Sequence, residues 1–301
     1  MTRTITVGLD GSPESRAAAE WAAREARMRA LPLKILHVWE PLPEPAAQAP
    51  LLGAETRQEW TDRIPRESAE GIRLRHPGLE VITDQVTGSA PEALAEAADG
   101  SELMVLGSRG LGGIGGFMVG SVSLCVIAHT VRPVVLVRAA QQAADEHQMD
   151  PAGVPSAATP FRPVVLGLDT GAPDETVLEF AFDAAARRSA ALRVVHGWTP
   201  PPTYLYGMSA DLDPRGSLAR REAAVLTEML RPWRAKFPDV QVIEASRYEN
   251  AAPALVHASR DASLVVVGRR IRTSRVGVHI GHVTHAVLHH VTAPVAVVAH
   301  G

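Results

Sequence analysis

Residues 101–137 read SELMVLGSRGLGGIGGFMVGSVSLCVIAHTVRPVVLV, and residues 262–298 read ASLVVVGRRIRTSRVGVHIGHVTHAVLHHVTAPVAVV. Each stretch is a short apolar run, a loop, a helix-like segment and, after a proline, a second apolar run. Runs of this length, β-branched and apolar on both faces, are the signature of buried parallel strands. The first loop carries seven glycines between positions 107 and 120. Glycine is costly to order, so such a run marks either positive φ, a close approach of some ligand to the backbone, or a floppy connection.

The two stretches lie 161 residues apart, and the likeness extends outward from them. TVGLDGSPES at 6–15 recurs as VLGLDTGAPDET at 165–176, and LKILHVWEP at 33–41 recurs as LRVVHGWTP at 192–200. Order and spacing are kept throughout, which is the mark of a tandem duplication. We therefore expect one domain over 1–138, a linker over 139–160 and a second domain over 161–301. The linker, AAQQAADEHQMDPAGVPSAATP, is polar and rich in alanine, proline and glycine without hydrophobic periodicity.

In the first half TITVGL, KILHV, EVITDQV, ELMVL and PVVLV read as strands, with helix-like segments between them. Ser12 followed by Pro13 makes a good helix start, and Pro32 falls just past that helix's end. Strands alternating with helices predict an α/β architecture: two tandem Rossmann-like domains, each a five-stranded parallel sheet flanked by helices. Ligands in such folds bind beyond the carboxyl ends of the strands.

The charge balance is near neutral, at −3, so nothing calls for nucleic acid or an anionic membrane surface. The first residues run straight into a strand pattern, no apolar run approaches a membrane span, and the one cysteine cannot pair within the chain. The expectation is a cytoplasmic protein, with Cys125 a small core residue of an apolar helix.

Three loops at strand ends carry the chemistry of the first half. Asp10-Gly11-Ser12 follows the first strand, where a carboxylate can accept hydrogen bonds from ribose hydroxyls or a base, or simply serve the helix start. Val38 ends the second strand beside His37, with backbone groups free for an adenine edge; His37 alone reads as a packed strand histidine. The glycine loop leads into a helix beginning near Ser121, whose unpaired N–H groups and partial positive charge suit phosphate oxygens. Ser121 and Ser123 add hydroxyls there, or act as plain caps. The loop has no lysine, which argues against a P-loop, and the glycines follow the fourth strand rather than the first, which argues against a dinucleotide fingerprint.

Gly107-x2-Gly110-x9-Gly120-Ser121, together with the early Val7-x-x-Asp10-Gly11-Ser12, resembles the universal stress protein family, and the resemblance covers both halves. It implies ATP binding, with Mg2+ accompanying the phosphates. It places Asp10 and Ser12 by the nucleoside and Val38 at adenine. Gly107, Gly110, Gly120, Ser121, Val122 and Ser123 would cradle the phosphates, with Arg109 a charge partner. It also implies an intrachain pseudo-dimer through the last strands, a homodimer, and a regulatory protein partner of unknown identity. In the second half Asp169, Thr170, Gly197, Gly268, Gly281 and Thr284 occupy matching positions, but Ile271 stands for Gly110 and His282 for Ser121. The second site is thus expected to be the weaker. His282, His285 and His289 share a helical face, yet span about two turns, too far for one ion to bridge all three. The leading reading is a nucleotide-binding regulatory module. The alternatives are a hydrolase-like enzyme using Asp10 or His37, and a nucleotide-free dimerisation module.

Overall fold

The computed structural model describes residues 3–39, 57–108, 119–139, 141–200, 214–271 and 280–301. The chain divides into two compact units, with the boundary between Gln142 and Ala143. The first unit contains strands β1 (Ile5–Gly8), β2 (Leu33–Trp39), β3 (Val81–Thr87), β4 (Leu103–Ser108) and β5 (Val134–Arg138). Helices α1 (Pro13–Arg29), α2 (Arg57–Arg75), α3 (Ala90–Asp99) and α4 (Ser121–His129) alternate with them. Their sheet runs β3-β2-β1-β4-β5 with every pair parallel. The order reverses beside β1, so the carboxyl ends of β1 and β4 open a crevice where a ligand can enter.

The second unit repeats this plan. Strands β6 (Val164–Gly167), β7 (Leu192–Trp198), β8 (Val242–Tyr248), β9 (Leu264–Arg270) and β10 (Val295–His300) form the order β10-β9-β6-β7-β8. These pairs, too, are parallel. Its helices are α5 (Glu175–Arg187), α6 (Pro214–Lys236), α7 (Ala251–Ala258) and α8 (His282–His290).

Burial follows from the sequence pattern. All four residues of β1 and all five of β5 are buried, as a strand covered on both faces requires. Helix α1 turns Ala18, Ala19, Ala22, Ala23 and Ala26 to the core with Trp21, and small side chains let its axis lie close to the sheet. The approach is close enough that a Cβ on Gly107 of β4 would stand 2.6 Å from the Glu14 carbonyl carbon. Helix α1 ends at Ala30 in the left-handed region (φ 52°), and Ser189, its repeat counterpart after α5, does the same (φ 47°). A non-glycine residue there costs roughly 1–2 kcal/mol, so both units keep the same strained corner.

One expectation changes. Cys125 is half-buried rather than in the core; its Sγ lies 3.4 Å from Nδ1 of His129, one turn on. Helix α4 buries only Ser123, Val126 and Ile127, which leaves Cys125 on the flank. The stretch read as a linker is locally folded where described. Ala143–Glu146 forms a single 3-10 turn, and His147 bridges to Phe161 with ring centroids 4.0 Å apart. The segment's two ends are joined by backbone bonds, Gln148 N–H to the Pro160 carbonyl and Arg162 N–H to the Glu146 carbonyl, both at 2.9 Å, beside the His147–Phe161 ring contact; a search for periodic apolar positions does not detect such a closure.

Candidate functional site

In the first unit the ends of β1, β2 and β4 and the first turns of α1, α3 and α4 surround a cleft of about 260 Å³. Asp10, Ser12, Val38, Gly107, Gly120, Ser121, Val122 and Ser123 all line it. These residues come from four separate stretches of the chain and meet only because parallel strands all end on one side.

Asp10 closes a turn over the start of α1. Its Oδ1 accepts the Ser12 N–H at 3.0 Å and the Ser12 hydroxyl at 2.5 Å, while the Ser12 Oγ accepts the Ser15 N–H at 3.2 Å as the helix cap. Burial alone would raise the Asp10 carboxyl, but the hydrogen bonds from Ser12 and Ser15 outweigh it and hold it below the ordinary carboxylate value. Asp10 is therefore a fixed anion with one oxygen already committed, suited to accepting hydrogen bonds and poorly suited to collecting a proton. Gly11 does not line the cleft. Its φ of +82° is what the turn needs, and a Cβ would also meet Ile64 Cδ1 at 3.0 Å.

Helix α4 supplies the opposite wall. Its N-cap is Gly120, extended at φ −65°, ψ 152°, and no side chain of the described residues caps the helix. The first backbone bond of the helix runs from the Leu124 N–H to the Gly120 carbonyl at 3.1 Å. The N–H groups of Ser121, Val122 and Ser123 precede it, so they are the helix's orphan donors. Among the described residues a Cβ on Gly120 would meet nothing within 4 Å, so as far as these residues reach the space before these donors is open. The Ser123 hydroxyl is turned to structural use, donating to the Gly107 carbonyl at 3.4 Å; Ser121 is the exposed hydroxyl of the pair. Arg109 and Gly110 lie outside the described residues.

Sequence reasoning missed the apolar floor of the cleft, formed by Leu36, Leu94 and Leu106, and it missed Gly8 beneath them. A Cβ on Gly8 would stand 2.8 Å from Leu106 and 3.0 Å from Leu94. The recurrence of this glycine as Gly167 was the available signal. His37 is buried, with Nδ1 2.6 Å from the Leu9 carbonyl, and is not among the residues lining the cleft. That placement argues against His37 as a base on a phosphate chain. Arg138, which does not line the cleft, is buried on β5, where desolvation lowers its guanidinium to about 10 and it donates to Ser108 Oγ at 2.6 Å.

The second unit keeps the frame and changes the fittings. Asp169 makes the same turn, accepting the Gly171 N–H at 2.9 Å, but Gly171 stands where Ser12 does, so the capping hydroxyl is lost and the helix cap passes to Asp174, whose Oδ1 accepts from Thr176. Helix α5 thus starts later, and the space beside Gly268 is taken by the His300 ring, 2.9 Å from where a Cβ would be. Thr170 Oγ1 lies 3.2 Å from His196 Nε2, tying that loop to a buried strand histidine. At Gly197, the counterpart of Val38, a Cβ would be 2.6 Å from the Ala251 Cα, so the turn into α7 fills the volume that the valine side chain occupies in the first unit. Gly281 caps α8, with nothing among the described residues within 4 Å of where its Cβ would be, and the Thr284 hydroxyl donates to the Gly268 carbonyl at 2.8 Å, as Ser123 does to Gly107.

Comparison with known proteins agrees with the internal repeat. The profile of the universal stress protein family matches residues 1–138 and again 160–299. A universal stress protein of Mycolicibacterium smegmatis is 31% identical over 306 residues, covering 98% of this chain and 96% of its own. One from Mycobacterium tuberculosis is 32% identical over 304 residues, with 97% and 96% covered. The crystal structure of a universal stress protein from Archaeoglobus fulgidus shares the fold over the full length of both chains, with a TM-score of 0.66 at 16% identity.

Proposed function

The chain belongs to the universal stress protein family, and from that premise we propose that its first half binds ATP and serves as a nucleotide-dependent regulatory module. The observation that carries this reading is the uncapped start of α4, opening on the same cleft as the Asp10 turn. The open space at Gly120 and three orphan N–H groups fit a phosphate chain. The apolar floor of Leu36, Leu94 and Leu106 fits a base, with Val38 at its edge. Asp10 and Ser12 would hold the ribose. The phosphate chain would bring Mg2+ with it, and Arg109 and Gly110 complete the proposed cradle.

Binding rather than rapid turnover suits this site. Asp10 is stabilised as the anion and already engaged by Ser12, and His37 does not line the cleft. In the second half Asp169, Thr170, Gly197, Gly268, Gly281 and Thr284 would form a weaker site, since the fittings around the base and ribose positions differ. We further propose that the apolar last strands of the halves cover one another as a pseudo-dimer, because an exposed apolar edge invites aggregation. A cytoplasmic setting, a homodimer and a regulatory protein partner belong to the same proposal.

Calorimetric titration of the full chain with MgATP tests it. The expected result is saturable binding with a dominant site of one per chain and a raised melting temperature. No heat and no stabilisation would overturn the reading in favour of a nucleotide-free dimerisation module; fast phosphate release would favour the hydrolase. Small-angle scattering tests the pseudo-dimer, which two independently moving lobes would refute.

A further inference from the structure

Glu14 stands in the first turn of α1 and lines the nucleotide cleft with Asp10. Its Cβ lies 2.9 Å from where a Cβ on Gly107 would be, so the side chain leaves the helix against the end of β4, where the chain passes into the glycine loop. Glu14 is half-buried, and among the described residues its carboxylate has no hydrogen-bond or ion-pair partner. Asp10, by contrast, already holds the Ser12 N–H and hydroxyl on one oxygen. The described residues that line the cleft include no lysine, arginine or histidine. Arg109 is the single basic residue of 107–123, and the start of α4 adds roughly half an elementary charge. Set against two carboxylates, these leave little positive charge to spare for a triphosphate. Mg2+ is typically held by one or two carboxylates together with substrate phosphates, and it keeps several waters. A free carboxylate on the same cleft as an uncapped helix start supplies the protein's share of that donor set.

We propose that Glu14 makes nucleotide binding conditional on a divalent cation: its carboxylate is the protein's ligand to a hydrated Mg2+ carried by the phosphates, and without that ion it repels them. This role rests on the ATP reading of the first cleft, and it sets the charge state admitted there, the Mg2+ complex rather than the free nucleotide.

Titration of the full chain with ATP in excess MgCl2, and again in EDTA without the metal, reads the dependence. Wild type is expected to bind ATP about tenfold or more tightly with Mg2+ than in EDTA. In Glu14→Gln, which leaves the Ser12 cap in place, that ratio should fall to about threefold or less, with binding in EDTA no weaker than in wild type. Glu92→Gln changes an exposed acid in the first turn of α3 that does not line the cleft, and it should keep the full ratio. Mn2+ added with ATP and followed by electron paramagnetic resonance should be held about tenfold less tightly by Glu14→Gln than by wild type. An acid in the first turn also favours the helix dipole, and a purely structural role would weaken ATP binding alike with and without Mg2+; that result would overturn the proposal. So would a full ratio in Glu14→Gln, an equal collapse in Glu92→Gln, or wild-type affinity that ignores Mg2+. Failure of wild type to bind ATP under either condition would overturn the nucleotide reading itself, and the proposal with it.

Discussion

Gly120→Val separates the nucleotide cleft from the fold that carries it. Gly120 sits in extended backbone at φ −65°, a conformation valine adopts readily, and its Cβ would meet no atom of the described residues within 4 Å. The folding cost is that of a poor N-cap, a few tenths to about 1 kcal/mol. In a chain of this size that lowers the melting temperature by roughly 2–4 °C or less. Binding should suffer more, because the branched side chain fills the space in front of the N–H groups of Ser121, Val122 and Ser123. Loss of one charge-assisted hydrogen bond is worth about 1.5–3 kcal/mol, and 1.4 kcal/mol is about tenfold in affinity. The expected loss of MgATP affinity is therefore on the order of tenfold to a hundredfold, read by calorimetry. Gly281→Val is the matched control, since Gly281 caps α8 in the second unit and its Cβ likewise would meet none of the described residues within 4 Å. It should leave the tightest site untouched. Equal MgATP affinity in wild type and Gly120→Val would refute the phosphate cradle, and a larger loss in Gly281→Val would show that the two halves had been ranked wrongly.

Gly107→Ala should destabilise the first unit by roughly 1–3 kcal/mol, because the new Cβ would press on the Glu14 backbone at 2.6 Å; an unchanged urea midpoint would contradict the close packing of α1 on β4. Ser12→Ala should cost about 1 kcal/mol through loss of the α1 cap, and the denaturation midpoint reports it. The Asp10 carboxyl titrates below its ordinary value in the fold, so its contribution is present above the unfolded-state pKa and is lost as pH falls through the lower folded-state one. The stability gap between wild type and Asp10→Asn should thus be full at neutral pH and close under acid conditions, and a gap that widens on acidification would show the sign to be wrong.

The sequence by itself determined the strand and helix order, the duplication and which loops gather at the strand ends. These are local or periodic properties: apolar runs of strand length, caps such as Ser12-Pro13, and a repeat visible residue by residue. The same logic brought out Asp10, Ser12, Val38 and Gly120, since any residue just beyond a parallel strand, or just before the following helix, faces one rim. Only the tertiary structure decided what each group on that rim is free to do. The Ser123 hydroxyl is taken by the Gly107 carbonyl, and His37 lies with its Nδ1 on the Leu9 carbonyl and does not line the cleft. It also decided how the halves differ, since Gly197 is set by a backbone approach from Ala251 and Gly268 by the ring of His300. Those contacts join residues more than thirty positions apart in sequence. A side chain's hydrogen-bond partners and the space around it depend on such distant neighbours, which no local pattern encodes.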